Sequence, residues 1–166
     1  MARVLVVDEA LMMRKTIGAF LLKAGHVVVG EAANGVQAVL AYNLHRPDIV
    51  TMDITLRGMD GIKALDKIIN TDASANIIVV SALRKKHKVF ETLQHGAKAY
   101  VFKPFTEEKL LSVVDEVLGA TAAEQRKARS AANVMDKPLP ARTYHSLGNK
   151  AAEKWGAYIS NKAGGN

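Results

Sequence analysis

Five short apolar runs punctuate the chain: RVLVV (3–7), VVVGEA (27–32), DIVTMD (48–53), NIIVVS (76–81) and AYVF (99–102). They are rich in valine and isoleucine and mostly continuous rather than alternating, the pattern of parallel strands covered on both faces. Between them, apolar residues recur at helical spacing. Met12, Met13, Ile17, Phe20 and Leu21 share one face, as do Val36, Val39, Leu40 and Leu44. Ile62, Leu65, Ile68 and Ile69 repeat the pattern, followed by Val89, Phe90 and Leu93, and by a wide stripe of Leu110, Leu111, Val113, Val114, Val117 and Leu118. These spacings predict five helices, each with its apolar face on the sheet. Asn34-Gly35 and Gly96 mark junctions, and Thr106 is the expected N-cap of the fifth helix, with Glu107 and Glu108 in its first turn. Strict strand–helix alternation, five times over, predicts a doubly wound α/β fold with a five-stranded parallel sheet and flanking helices.

In such sheets, sites lie beyond the carboxyl ends of the strands. Polar residues gather there. Asp8 and Glu9 follow the first run, Asp53 ends the third, Ser81 ends the fourth, and Lys103 follows the fifth. Asp53 is the pointed case, because aspartate is a poor strand former and costly to bury unpaired. Taken singly, Asp53 and Ser81 also read as caps, Asp8-Glu9 as a turn, and Lys103 as a solvated cation. As a set they describe a site. Three carboxylates at one edge repel one another unless a cation intervenes, and Mg2+ binds oxygen ligands while combining carboxylates with phosphate oxygens. With Lys103 as a fixed positive charge and Ser81 as a hydrogen-bond donor, the set suits a carboxylate nucleophile, Asp53, that receives a phosphoryl group. The histidines at 26, 45, 87, 95 and 145 are scattered and read as surface residues.

Composition narrows the setting. The chain has 166 residues and no cysteine, so disulfides and thiolate metal sites are excluded. The longest apolar runs are too short to cross a bilayer, and no basic-then-apolar leader is evident, so a soluble cytoplasmic protein is expected. The net charge of +7 is uneven: residues 1–119 carry 15 basic and 13 acidic side chains, residues 120–166 carry 8 and 3. A basic tail suits nucleic acid, an anionic membrane, an acidic protein, or plain solvation.

The chain resembles the receiver domains of two-component response regulators, and the stand-alone, CheY-like (flavodoxin-like) members most of all. The resemblance rests on VVDE (6–9), MDI (52–54) with MDG (59–61), VVSA (79–82) and AYVFKPF (99–105), and on the spacing between them. It covers about residues 1–119. It implies that Asp53 is phosphorylated by a sensor histidine kinase or a histidine phosphotransfer protein, and that Glu9 binds Mg2+ directly, Asp8 largely through water, and Thr55 through its backbone carbonyl. It further implies that Ser81 moves toward the phosphoryl group and that Tyr100 then turns inward. The surface formed by helix four, strand five and helix five would be remodelled for a downstream protein. Such a protein catalyses only its own phosphorylation and dephosphorylation. Two positions depart from the family pattern. Glu9 stands where aspartate is usual and is longer by one methylene. Leu56-Arg57 stands where Met-Pro is common, which loosens the loop and adds a cation near the site.

Residues 120–166 form a basic extension. ATAAEQRKARSAANVM (120–135) either prolongs the fifth helix or starts another after Gly119, and DKPLPAR (136–142) is a Pro-broken linker. Leu147, Ala151, Trp155, Tyr158 and Ile159 then fall at helical intervals, which predicts a short amphipathic helix over 147–159, made marginal by Gly148 and Gly156. The tail is too short for a winged-helix output domain, so specific DNA binding is not expected, and a bare basic tail would bind nucleic acid in a salt-sensitive way. Three functions fit: a phosphorylation-dependent switch acting on proteins, a transcription or RNA regulator using its basic tail, and a phosphorelay intermediate that passes its phosphoryl group to another histidine.

Overall fold

The computed structural model describes residues 1–135, and the expected helix over 147–159 lies outside them. Five strands alternate with five helices: β1 (Arg3–Val7), α1 (Leu11–Lys23), β2 (Val27–Ala32), α2 (Gly35–His45), β3 (Ile49–Met52), α3 (Gly61–Thr71), β4 (Ile77–Ser81), α4 (Lys86–Gln94), β5 (Ala99–Phe102) and α5 (Glu107–Met135). The strands form one parallel sheet in the order β2-β1-β3-β4-β5. The strand order reverses at β1, which has β2 on one side and β3 on the other. A crevice therefore opens past the carboxyl ends of β1 and β3.

The continuous apolar runs divide by pleat. Leu5, Val7, Val50, Met52, Ile77 and Val79 face one core layer, with Ala38 and Tyr42 of α2 and Ile62, Leu65 and Ile68 of α3. Val4, Val6, Ile49, Ile78 and Val80 face the other, with Ile17 and Leu21 of α1 and Leu110, Val113, Val114 and Val117 of α5. Each valine, leucine, isoleucine or methionine among them, fully covered, stabilises the fold by about 1.5–3 kcal/mol.

The stripes of α3 and α5 face inward as their periodicity predicts. Those of α1, α2 and α4 need correction. Met12 is 75% exposed, while Ile17 and Leu21 carry the burial of α1. In α2 the expected face is largely the outer one: Val36, Leu40 and Leu44 are exposed, and Gly35, Ala38 and Tyr42 are buried. The start of this buried face is a close approach of the chain. A Cβ on Gly35 would lie 2.8 Å from Met59, so the inner face of α2 begins with a residue that has no side chain. In α4, Phe90 and Leu93 are exposed, and the buried residue is Thr92, whose hydroxyl donates to the Val89 carbonyl at 2.7 Å.

Caps follow the local sequence. Asn34 accepts from the Gln37 N–H at 2.9 Å, Asp60 from the Ile62 N–H at 3.1 Å, and Thr106 from the Lys109 N–H at 3.1 Å. Helix α5 runs through Gly119 as a single element. Met1–Ala123 make one compact unit. Of the second unit, Glu124–Asn166, residues 124–132 are helical with exposed side chains.

Candidate functional site

Three strand ends deliver the central group. The backbone ladder extends past the strands through Asp8 N–H to Ala32 O (3.0 Å), Asp53 N–H to Val7 O (2.9 Å) and Lys103 N–H to Ser81 O (3.0 Å). These bonds seat the side chains on rigid backbone. Lys103 Nζ donates to Asp8 Oδ2 at 2.5 Å and to Asp53 Oδ2 at 2.7 Å. The other oxygen of each carboxylate is also engaged. Asp53 Oδ1 accepts the Thr55 N–H and hydroxyl, both at 2.8 Å, and Asp8 Oδ1 accepts the Ala10 N–H at 2.8 Å. Asp8 and Asp53 are both buried.

The electrostatics follow from this bonding. Burial alone would push the Asp53 carboxyl up, but Lys103 and the two donors of Thr55 outweigh it and hold Asp53 below the usual carboxylate range. Burial likewise opposes the Lys103 charge, yet bonds to Asp53 and Asp8 raise that ammonium above its ordinary value. Asp53 is thus an ionised, oriented carboxylate at neutral pH.

Close packing sets the backbone beyond Asp53. A Cβ on Gly61 would lie 2.3 Å from Ile54 Cα and 2.7 Å from the Asp53 carbonyl oxygen. Only glycine lets the start of α3 approach the chain at that point.

Glu9 does not join Asp8 and Asp53. Its Oε1 lies 2.7 Å from Nε of Arg57, in the β3–α3 connection. The pair is open to water, with the Arg57 side chain 91% exposed and that of Glu9 37%. Gly58, with φ 82°, turns the chain directly after Arg57. Among the described residues, no three acidic or histidine side chains stand as a ready-made metal cage. The donor set nevertheless fits a hard divalent cation. Its side-chain donors are all carboxylate oxygens, and the two buried carboxylates share one lysine, so one negative charge remains there.

Ser81 ends β4, its register set by pairing with Phe102. Its hydroxyl oxygen accepts the Leu83 N–H at 3.3 Å, and the Tyr100 hydroxyl donates to the Leu83 carbonyl at 2.5 Å. Ser81 and Tyr100 therefore meet at one peptide segment. Tyr100 is half-buried, and burial, with the Asp53 charge adding to it, pushes its phenol up.

Two participants were not singled out from the sequence. Arg14 Nη1 donates to the Asp8 carbonyl (2.7 Å) and the Glu9 carbonyl (3.2 Å), while its Nε pairs with Glu31 at 3.1 Å. A cation in the first turn after an acidic loop was the available signal. Leu83 acts through its backbone, which leaves no trace in residue type.

The response regulator receiver domain family matches residues 4–115. The chemotaxis protein CheY of Bacillus subtilis is 47% identical over 116 residues, which is 70% of this chain and 97% of the relative. The transcriptional regulatory protein PdtaR of Mycobacterium tuberculosis is 30% identical over 163 residues, covering 92% of this chain and 79% of the relative. A chain of the CheX–CheY–BeF3–Mg2+ complex from Borrelia burgdorferi superposes with a TM-score of 0.68 at 38% identity, over 69% of this chain and 87% of that one.

Proposed function

The chain belongs to the response regulator receiver family, as a CheY-like signalling protein of two-component systems, and from that premise we propose that Asp53 accepts a phosphoryl group from a phosphohistidine and thereby switches a protein-binding face. The observation that carries this reading is the buried, ionised Asp53 carboxylate held against Lys103. A carboxylate oxygen of Asp53 attacks phosphorus. The new O–P bond forms as the P–N bond breaks, and the electron pair of that bond leaves with the imidazole. Lys103 is placed to meet charge on the transferred group, since its ammonium already bonds the nucleophile. Asp8, Glu9, Asp53 and the Thr55 carbonyl oxygen would hold Mg2+, which supplies positive charge beside the phosphoryl oxygens when bound.

The response then runs outward. Ser81 turns its hydroxyl to the phosphoryl group, which weakens its bond to Leu83 and so loosens the segment that Tyr100 also holds. Next to that segment lies a groove of about 230 Å3 lined by Arg84, Lys86, Val89, Phe90, Leu93 and Phe102. Four of its six lining residues are apolar and two are basic, and the Arg84 guanidinium lies 4.8 Å from the Phe102 ring centroid. A downstream protein with apolar anchors and acidic flanks fits this face.

Intact-mass analysis after incubation with acetyl phosphate and Mg2+ tests the assignment. The protein gains one phosphoryl group and Asp53→Asn gains none. An adduct that persists in the variant overturns the role of Asp53. In Ser81→Ala the adduct still forms, while the beryllofluoride-induced change in hydrogen exchange over residues 83–105 shrinks.

One observation favours a second reading. The match to a transcriptional regulatory protein takes in 92% of this chain and so reaches into the basic tail. Under that reading the phosphorylated protein binds nucleic acid, and the binding weakens steeply with added salt.

A further inference from the structure

Three carboxylates at one sheet edge present a like-charge problem that the metal-free protein has to solve. It does so by dividing them. Asp8 and Asp53 share the Lys103 ammonium, and Glu9 is turned away to Arg57. Both departures from the family pattern act here together. The additional methylene of Glu9 lets its carboxylate reach across to the β3–α3 connection, and the residue it meets there stands where proline is common. We propose that Arg57 is a built-in counter-cation for Glu9, which Mg2+ must displace, so that this residue lowers the metal affinity of the site. The inference rests on the reading of Asp8, Glu9 and Asp53 as metal ligands.

The geometry permits the exchange. A cation bound by all three acids needs Glu9 turned back toward Asp8 and Asp53, away from the guanidinium that now lies 2.7 Å from its Oε1. Arg57 has somewhere to go. The pair borders an open cleft of about 670 Å3, lined also by Asn34, Val36, Gln37 and Met59. The Arg57 side chain is already 91% exposed, so a released guanidinium is solvated without moving the backbone. Gly58 directly follows Arg57 in the chain, and no proline stiffens the connection. The pair is exposed and so a weak competitor, which tunes affinity without blocking the metal.

The test is a Mg2+ titration of the full chain, followed by NMR at the Thr55 amide. Parallel titrations use Arg57→Ala, Arg57→Lys, Glu9→Asp and the double variant Glu9→Asp/Arg57→Ala. Arg57→Ala should bind Mg2+ about two- to fivefold more tightly, the range an exposed ion pair can supply. Arg57→Lys should stay near the unmutated protein. In the Glu9→Asp background the shorter arm falls short of Arg57, so removing Arg57 should change the affinity little. Added NaCl should narrow the gap between the unmutated protein and Arg57→Ala. Unchanged affinity in Arg57→Ala overturns the proposal while leaving the metal site intact. A gain of the same size in both backgrounds overturns it as well, since Arg57 would then act as a distant charge rather than through the pair. If the unmutated protein shows no Mg2+ response at all, the reading of the acids as ligands falls and takes the proposal with it.

Discussion

The edge of the sheet carries two kinds of ion pair of nearly equal length. Lys103 meets Asp8 and Asp53 at 2.5 and 2.7 Å, and Arg57 meets Glu9 at 2.7 Å. Their surroundings differ. The Lys103, Asp8 and Asp53 side chains are 15%, 3% and 8% exposed, whereas Arg57 stands almost wholly in water. Distance therefore says little about consequence. In the first group the charges have lost their water and depend on one another, so removing one partner strands the rest. In the second, water replaces either partner at little cost, so the pair is free to open and close. The buried group suits a fixed reaction centre and the exposed pair suits an adjustable one.

Breaking the buried group should give the largest effect. Lys103→Met leaves two buried carboxylates facing each other, and without divalent cation it should lose about 3–5 kcal/mol of stability. Urea unfolding at neutral pH measures this, and part of the loss should return on adding Mg2+. A loss under 1 kcal/mol would place the group in the same class as the exposed pair.

Next comes the backbone beneath Asp53. Gly61→Ala puts a methyl 2.3 Å from Ile54 Cα, a backbone atom that has no rotamer to adopt. We expect about 1–3 kcal/mol of destabilisation and slower phosphorylation by acetyl phosphate, both from the displaced Asp53–Thr55 segment. Unaltered phosphorylation would show that the site tolerates loose support.

A pH series sharpens the comparison more gently. The Asp53 carboxyl is held below its ordinary value, so its stabilising contribution is complete above that value and is lost as pH falls through the lowered one. The Lys103 ammonium is held above its ordinary value, so its contribution is complete below that value and is lost as pH rises through the raised one. Between the ordinary carboxylate and lysine ranges, the stabilisation from this group should be flat. In Lys103→Met the acid side should reverse, since unpaired buried carboxylates favour the protonated form and stability then climbs as pH drops. Urea midpoints of the two proteins from pH 7 downward, expected to converge, check the sign.

The smallest effect belongs to the exposed pair. Arg57→Ala should change metal-free stability by less than about 1 kcal/mol, read from the same urea curves. A larger loss would mean that the β3–α3 connection depends on Arg57 for its structure.

How far the chain's own pattern reached can be seen helix by helix. The central strands β1, β3 and β4 were legible because a buried parallel strand has to be apolar on both faces, as Leu5 and Val7 on one side and Val4 and Val6 on the other illustrate. Helices α3 and α5 were legible for a related reason: their apolar stripes, Ile62, Leu65 and Ile68 in one and Leu110, Val113, Val114 and Val117 in the other, are the faces the core covers, so hydrophobic spacing and burial coincide. Helix α2 inverts that rule. Its buried face is Gly35, Ala38 and Tyr42, of which Gly35 abuts Met59, and Val36, Leu40 and Leu44 are left outside. Spacing records which residues share a face but not which face the neighbours cover. The grouping of Asp8, Asp53 and Lys103 followed from residue type and strand order alone, since parallel strands carry whatever follows them to one edge. The partition of the acids did not. Glu9 and Arg57 lie in separate loops, and no periodicity or register links loop to loop. Their pairing, like the meeting of Ser81 and Tyr100 at the Leu83 peptide, depends on where the backbone turns after the strand ends. Only tertiary structure decides that, because those turns are set by packing between segments that are distant along the chain.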